Sequence, residues 1–446
     1  DGSEQAAVVH RLENFAHVLE DIIAETDVRH VVTTGVGDLL NFPKGTLVNF
    51  ALRYVKRAVP SFRLPGSVSF RQALNAGSDL VLDEVEIGYA DIAFLQYTGG
   101  TTGASKGAML SHRNMVYNVQ QSMTWQADAY EGVLPVVAIT ALPLYHIFSL
   151  QGNCLTVMAQ GGENILITNP RDFEGFAKEI AKHRFNMFTG VNTLFAALMD
   201  TPSFAKIDFS YLRVCVGGGM AVQPAIAKEW KEKTGTTILQ GYGLTETSPV
   251  AIVCRVDSEF TGTIGLPVPS TDVMIAGDDG NPLPIGEIGE ICIRGPQVME
   301  GYWQRPAETA ETMLPGGWLR TGDVGRMDEN GYTFIEDRKK DMILVSGFNV
   351  YPNEIENVIV EMPGVLEAAA IGLPDERSGE IVKVFVVRKD PNLKEQDILD
   401  YCRSSETARS ITSSAAYLLT RIRERTRPRP ETNRSKRREP AVTRPP

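Results

Sequence analysis

Short apolar runs recur along the chain, each closed by glycine or by a polar cluster. Ile92-Ala93-Phe94-Leu95 has the length and composition of a buried strand. Similar runs at 136–142, 165–168, 214–216 and 238–239 are separated by stretches with helical spacing. That alternation continues to about residue 255 and predicts βαβ units. Upstream, residues 1–27 place Leu12, Phe15, Leu19, Ile22 and Ile23 on one helical face, and 28–33 read as a strand. Residues 46–59 read as an apolar helix with a basic edge at Arg53, Lys56 and Arg57.

From Gly132 to Gly162 no residue is charged at neutral pH unless His146 is protonated. A membrane span is rejected because Pro135, Pro143, His146, Gln151 and Asn153 interrupt the run. Strand, loop, a buried helix over 150–159 and a further strand fit better. Residues 260–337 turn β-rich, punctuated by glycine and by Asp278-Asp279-Gly280-Asn281. They predict a small β-barrel-like subdomain or sheet. The charged stretch Asp337-Arg338-Lys339-Lys340-Asp341 reads as a linker. After it come a helix from Glu354 and strands at 367–371 and 382–388.

A chain of 446 residues can bury a large core in more than one domain. The expected fold is α/β: a large N-terminal domain of α/β layers with a small β-barrel-like subdomain, then a small α+β domain across a hinge. The expected boundaries are 1–337, 338–403 and a tail at 404–446. A net charge of −11 argues against nucleic acid as a partner. The five cysteines form no CxxC pair and read as reduced thiols of a cytoplasmic protein.

The chemistry concentrates in Tyr97-Thr98-Gly99-Gly100-Thr101-Thr102-Gly103-Ala104-Ser105-Lys106-Gly107. Glycines let the backbone approach an anion, and hydroxyls and one lysine complete a cradle. A strand before it and a helix after it would form a phosphate-wrapping turn. It is not a Walker A loop, because Lys106 is followed by Gly107 rather than Ser or Thr. A second motif, Gly241-Tyr242-Gly243-Leu244-Thr245-Glu246, supplies a ring, a hydroxyl and a carboxylate. Cys215-Val216-Gly217-Gly218-Gly219 ends a strand in glycines, where ligands collect in α/β sheets.

Together these motifs resemble the adenylate-forming (acyl-activating) enzymes, and over residues 28–402 the bacterial long-chain fatty-acid–CoA ligases in particular. The resemblance implies ATP, Mg²⁺ and CoA as cofactor and co-substrates and a long-chain fatty acid as substrate. It assigns the phosphates to Thr98, Gly99, Gly100, Thr101, Thr102, Gly103, Lys106 and Gly107. It assigns adenine to Gly218, Gly219, Tyr242 and Gly243, and a phosphate to Thr245. Glu246 would hold the metal, while Asp323 and Arg338 would hold the ribose or phosphate. His146 would line the carboxylate pocket, although a lone histidine in an apolar loop is more often a packed core residue. Gly347 would approach the CoA arm, and the helix after Gly190 would border the acyl tunnel, although core packing explains its apolar face equally well.

The basic edge at Arg53, Lys56 and Arg57 suits peripheral contact with an anionic inner membrane face, and also a solvated rim on a packed helix. Members of the family carry a further N-terminal portion, so the chain is expected to begin inside a domain. Residues 404–446 hold eleven Lys and Arg against four acids, and five prolines, and predict disorder or a shifted reading frame. The family's C-terminal Pro-Lys-x-x-x-Gly-Lys pattern is not found, since Lys436 stands in Ser-Lys-Arg-Arg. Weak adenylation is the consequence. The alternatives are a nucleotide- or acyl-binding remnant without turnover and an acyl-activating enzyme for another carboxylic acid.

Overall fold

The computed structural model describes residues 8–81, 84–98, 105–133, 135–339, 341–345, 348–375, 379–404 and 419–423. Gly99 to Gly103 and Gly347 lie outside them. The chain divides into two compact units, Asp1–Ile87 and Gly88–Pro446.

In the first unit the strands Val8–Leu12, His30–Thr34 and Val68–Ser69 form a parallel sheet. The helix expected over 1–27 is therefore shorter. Val8–Leu12 pairs with His30–Thr34, and the α-helix runs only over Ala16–Ile22. The helical spacing is real from Leu12 onward, but Val8 and Val9 gain a ladder partner that no local pattern reveals. Ala16 and Leu19 pack with Val31 and Leu64. The helix expected at 46–59 is Lys44–Phe50, continued by a wide π-turn over Ala51–Val55. Arg53 of the basic edge is paired with Glu13 at 2.6 Å.

The second unit opens with an antiparallel hairpin, Ile92–Thr98 against Lys106–Ser111. This corrects the strand–turn–helix expectation. Lys106 and Gly107 lie in a second strand, facing Thr98 and Tyr97. Ala108 and Leu110 are fully buried, which drives that pairing. The helix His112–Gln126 starts only afterwards, and Ser111 and Asn114 close its N-terminus with a capping box. Its first amide groups are thus occupied, those of His112 and Arg113 by the Asp91 and Tyr89 carbonyls and that of Asn114 by the Ser111 hydroxyl, rather than offered to an anion.

A seven-stranded sheet forms the centre of this unit. Its order is Leu266–Pro267, Val250–Val253, Ile238–Gly243, Val214–Gly218, Met187–Gly190, Val137–Thr140 and Glu163–Leu166. The last five strands are mutually parallel, and the first two are antiparallel to their neighbours. One face is covered by Phe173–Ile180, Asn192–Met199 and Pro224–Thr234 around the buried Trp230, whose ring lies 5.0 Å from Phe195 and 5.6 Å from Phe188. Chain order reverses around Val137–Thr140, the position where α/β sheets open a crevice at their carboxyl ends.

Residues 272–338 form an antiparallel five-stranded sheet built on Asp272–Ala276, Gly289–Arg294 and Trp318–Met327. Met313–Leu314 and Thr333–Arg338 both pair with Trp318–Met327. Beyond 341 a smaller sheet packs Val382, Val384 and Val386 against the helix Pro352–Val360 and against Ile398 and Cys402. Within the tail expected to build no packed element, Leu419–Arg423 forms a strand parallel to Gly379–Arg388. The composition of the whole tail hid this short stretch.

Candidate active site

A cleft of about 910 Å³ opens at the carboxyl end of the parallel sheet. Thr98, His146, Gly218, Gly219, Tyr242, Gly243, Thr245, Glu246, Asp323 and Arg338 all line it. Residues far apart in sequence converge because each follows the carboxyl end of a strand or sits at the facing end of the β-rich sheet. Register does the placing: Gly190 faces Gly217, Gly218 faces Gly241, and Asp323 faces Arg338.

At the rim, Tyr242 donates its phenolic proton to Asp323 at 2.6 Å, and the Arg338 guanidinium stands 3.5 Å from the other Asp323 oxygen. Burial, followed by the charge of Asp323, pushes the Tyr242 phenol well above its usual range. It therefore remains a donor at physiological pH. Gly219 adopts φ +74°, a left-handed conformation that turns the chain away from the strand. A Cβ on Gly243 would collide with the Pro249 carbonyl, so the backbone there closes on itself without a side chain.

Glu246 lies in the short turn Thr245–Thr247 and accepts a hydrogen bond from Tyr302 Oη at 2.6 Å. Lys106 places its ammonium 5.1 Å from the centre of the same Tyr302 ring. Burial and the Glu246 charge raise the Tyr302 phenol above its usual range. Tyr302 escaped the sequence analysis. Gly301-Tyr302-Trp303 was the available signal, an aromatic pair after a glycine. His146 caps the turn Ile147–Ser149, its Nδ1 accepting from the Phe148 amide at 3.3 Å.

Below the rim the walls become apolar. Val214, Val216 and Gly218 alternate along one strand and share a face, with Met187 and Thr189 on one side and Leu239 and Gly241 on the other. Four residues of strand carry this surface about 13 Å inward. Trp125 and Gly152 also line the cleft, Gly152 within the π-turn Leu150–Leu155. The helix after Gly190 is not part of this lining. It buries Leu194, Phe195 and Leu198 in the aromatic core, so core packing accounts for its apolar face.

In the strand Thr333–Arg338, Asp337 accepts from the Arg338 and Asn353 amides at 2.6 and 3.1 Å. Burial still pushes its carboxyl above the ordinary range. Among the described residues no group of three or more His, Cys, Asp or Glu gathers to hold a metal, and no helix is long and apolar enough to cross a membrane.

The chain belongs to the AMP-binding enzyme family, whose profile matches residues 3–303. The profile of the AMP-binding enzyme C-terminal domain matches residues 354–424. Both matches pass the limits of 28 and 402 at which the resemblance was expected to stop. The chain is 51% identical over 413 residues to the long-chain-fatty-acid–CoA ligase of Escherichia coli O6:H1, covering 92% of this chain and 73% of that one. It is 50% identical over 420 residues to the enzyme of the same name from Haemophilus influenzae, covering 94% and 74%. Among solved structures, ATP-bound MatB from Rhodopseudomonas palustris superposes with a TM-score of 0.74 at 26% identity, covering 94% of this chain and 85% of that one.

Proposed function

We propose that the chain is a long-chain fatty-acid–CoA ligase. The fatty carboxylate attacks the α-phosphorus of ATP and displaces pyrophosphate, giving an acyl-adenylate. The thiolate of CoA then attacks the acyl carbonyl, and AMP leaves. The observation that carries this reading is the single cleft joining the polar rim of Tyr242, Asp323, Arg338 and Glu246 to the apolar walls of Val214, Val216, Met187 and Leu239. A nucleotide suits the rim and an alkyl chain suits the walls. About half-identity to ligases of that name supports the same substrates.

In this scheme Tyr242 stacks on adenine, beside Gly218 and Gly219, while Asp323 accepts from the ribose hydroxyls. Arg338 contacts ribose or phosphate. Lys106, Thr98, Gly107, Thr245 and residues 99–103 grip phosphate, and His146 borders the carboxylate. Gly347 would approach CoA. These contributions are positioning and charge neutralisation. Glu246 suits Mg²⁺, because that ion is commonly held by one or two carboxylates plus substrate phosphates. When bound, it would offset phosphate charge.

Peripheral contact with an anionic membrane surface belongs to the same reading. It is supported by the exposed Leu47, Phe50, Tyr54 and Val55 beside Lys56 and Arg57. Arg53 is already committed to Glu13. Reversing Lys56 and Arg57 to Glu should abolish co-sedimentation with phosphatidylserine vesicles; unchanged binding would exclude this contact.

Incubation with palmitate, ATP, Mg²⁺ and CoA, read by mass spectrometry, tests the main reading. Palmitoyl-CoA at many turnovers supports it. Bound ATP with neither product would point to a remnant without turnover, and turnover of only another acid would point to a different acyl-activating enzyme.

A further inference from the structure

The segment 299–303 lies about 55 residues beyond Glu246 and almost 200 beyond Lys106, yet its backbone ties the two together. The Met299 amide donates to the Glu246 carbonyl at 2.8 Å. Glu300 and Trp303 donate to Met109 and Gly107 at 3.0 and 2.8 Å, and Gly301 accepts from Met109 at 2.8 Å. Tyr302 itself bridges to Ala108, and its amide donates to Thr309 Oγ1 at 2.9 Å. The segment is thus a splint between the turn carrying Glu246 and the strand carrying Lys106.

Its side chain joins the same two residues. The phenol donates to Glu246, and the ring carries the Lys106 ammonium. A lysine and a glutamate left next to each other would tend to neutralise one another, and each would then be lost to a ligand of opposite charge. Here the carboxylate is held by a hydroxyl and the ammonium by a π-face, both of which leave the net charge intact.

We infer that Tyr302 is a positioning residue that keeps Lys106 and Glu246 from pairing with each other, so that one meets phosphate and the other meets the divalent cation. The inference rests on the proposed ligase activity. It concerns a residue that acts through the other two and forms no bond with the reacting atoms.

The test is calorimetric titration of the full chain with ATP, with and without Mg²⁺. Wild type should gain affinity when Mg²⁺ is present. Tyr302→Phe keeps the ring and loses only the hydroxyl. It should bind ATP alone as wild type does and lose about ten-fold of the Mg²⁺-dependent gain, the scale of one hydrogen bond to a charged group. Against Glu246→Gln the same substitution should cost nothing further, because its partner's charge is already gone. Tyr302→Leu, which also removes the platform under Lys106, should weaken ATP binding even without Mg²⁺. In turnover, Tyr302→Phe should lower kcat and leave KM for palmitate unchanged. A general packing role would instead lower the thermal midpoint and affect all backgrounds equally. The inference is overturned if Tyr302→Phe keeps the Mg²⁺-dependent gain, or loses as much in the Glu246→Gln background. If wild type binds no ATP and makes no palmitoyl-CoA, the ligase reading itself fails, an outcome distinct from a normal wild type with a silent Tyr302→Phe.

Discussion

The phenolic hydroxyl of Tyr242 donates to Asp323 at 2.6 Å, across a separation of 81 residues. Arg338 completes the group from the opposing strand. Asp323 is buried, and these two partners help offset the cost of placing its charge there.

Tyr242→Phe keeps a ring to stack and removes that donor. We expect KM for ATP to rise about three- to ten-fold, the effect of one charge-assisted hydrogen bond, with KM for palmitate unchanged. Tyr242→Ala should cost more, because stacking is lost as well. Steady-state kinetics with each substrate varied separately would check this.

Gly152 faces the apolar part of the cleft from a π-turn, and a Cβ there would meet only the Phe148 ring, at 3.7 Å. Gly152→Leu should therefore fit, but would fill space in the cleft that Val214 and Val216 also line. The preferred acid should shorten, with palmitate losing against octanoate by ten-fold or so, on the scale of about 0.8 kcal/mol per displaced methylene. Competition between acids of different length reads this directly, and ATP binding should not change.

Gly243→Ala would drive its methyl into the Pro249 carbonyl, which is backbone and cannot rotate aside. We expect a loss of about 1–3 kcal/mol, seen as a lowered midpoint in chemical denaturation, together with a weaker site, because Tyr242 and Thr245 flank the distortion.

Asp337 titrates above its ordinary value of 3.8, chiefly through burial, and Glu354 and Glu356 titrate above 4.5, again chiefly through burial. Between the unfolded and folded values the native state holds protons that the unfolded chain has released. Stability therefore falls as pH rises through that window. Other carboxylates such as Glu174 and Asp278, held low by hydrogen bonds, act in the opposite sense below it. Asp337→Asn should flatten the decline, measured as thermal midpoint from about pH 4 to about pH 7. An unchanged slope would show that Asp337 contributes nothing to it.

Trp230 is fully buried among Phe188, Phe195, Phe204 and Phe209. Trp230→Ala should cost about 3–5 kcal/mol without altering relative preferences among acids, since this core lies outside the cleft lining.

Much of the site was legible in sequence because its chemistry is local. A glycine-rich turn with one lysine, and a Gly-Tyr-Gly followed by Thr245 and Glu246, carry their meaning in adjacent residues. The apolar runs at 214–216 and 238–239 also marked themselves as strands, since burial on both faces leaves no polar alternation.

What the chain alone determined is the set of buried strands and the residue types offered at their ends, because both follow from local hydrophobicity and backbone freedom. Tertiary structure decided the rest. Pairing turned Lys106 into a strand residue, made Val8–Leu12 a strand rather than a helical turn, and drew Leu419–Arg423 into a ladder. It also brought Tyr302 to Glu246 and Tyr242 to Asp323, contacts across 56 and 81 residues. Such pairings depend on which distant segment supplies the complementary edge, and that free energy exists only once the sheets have formed.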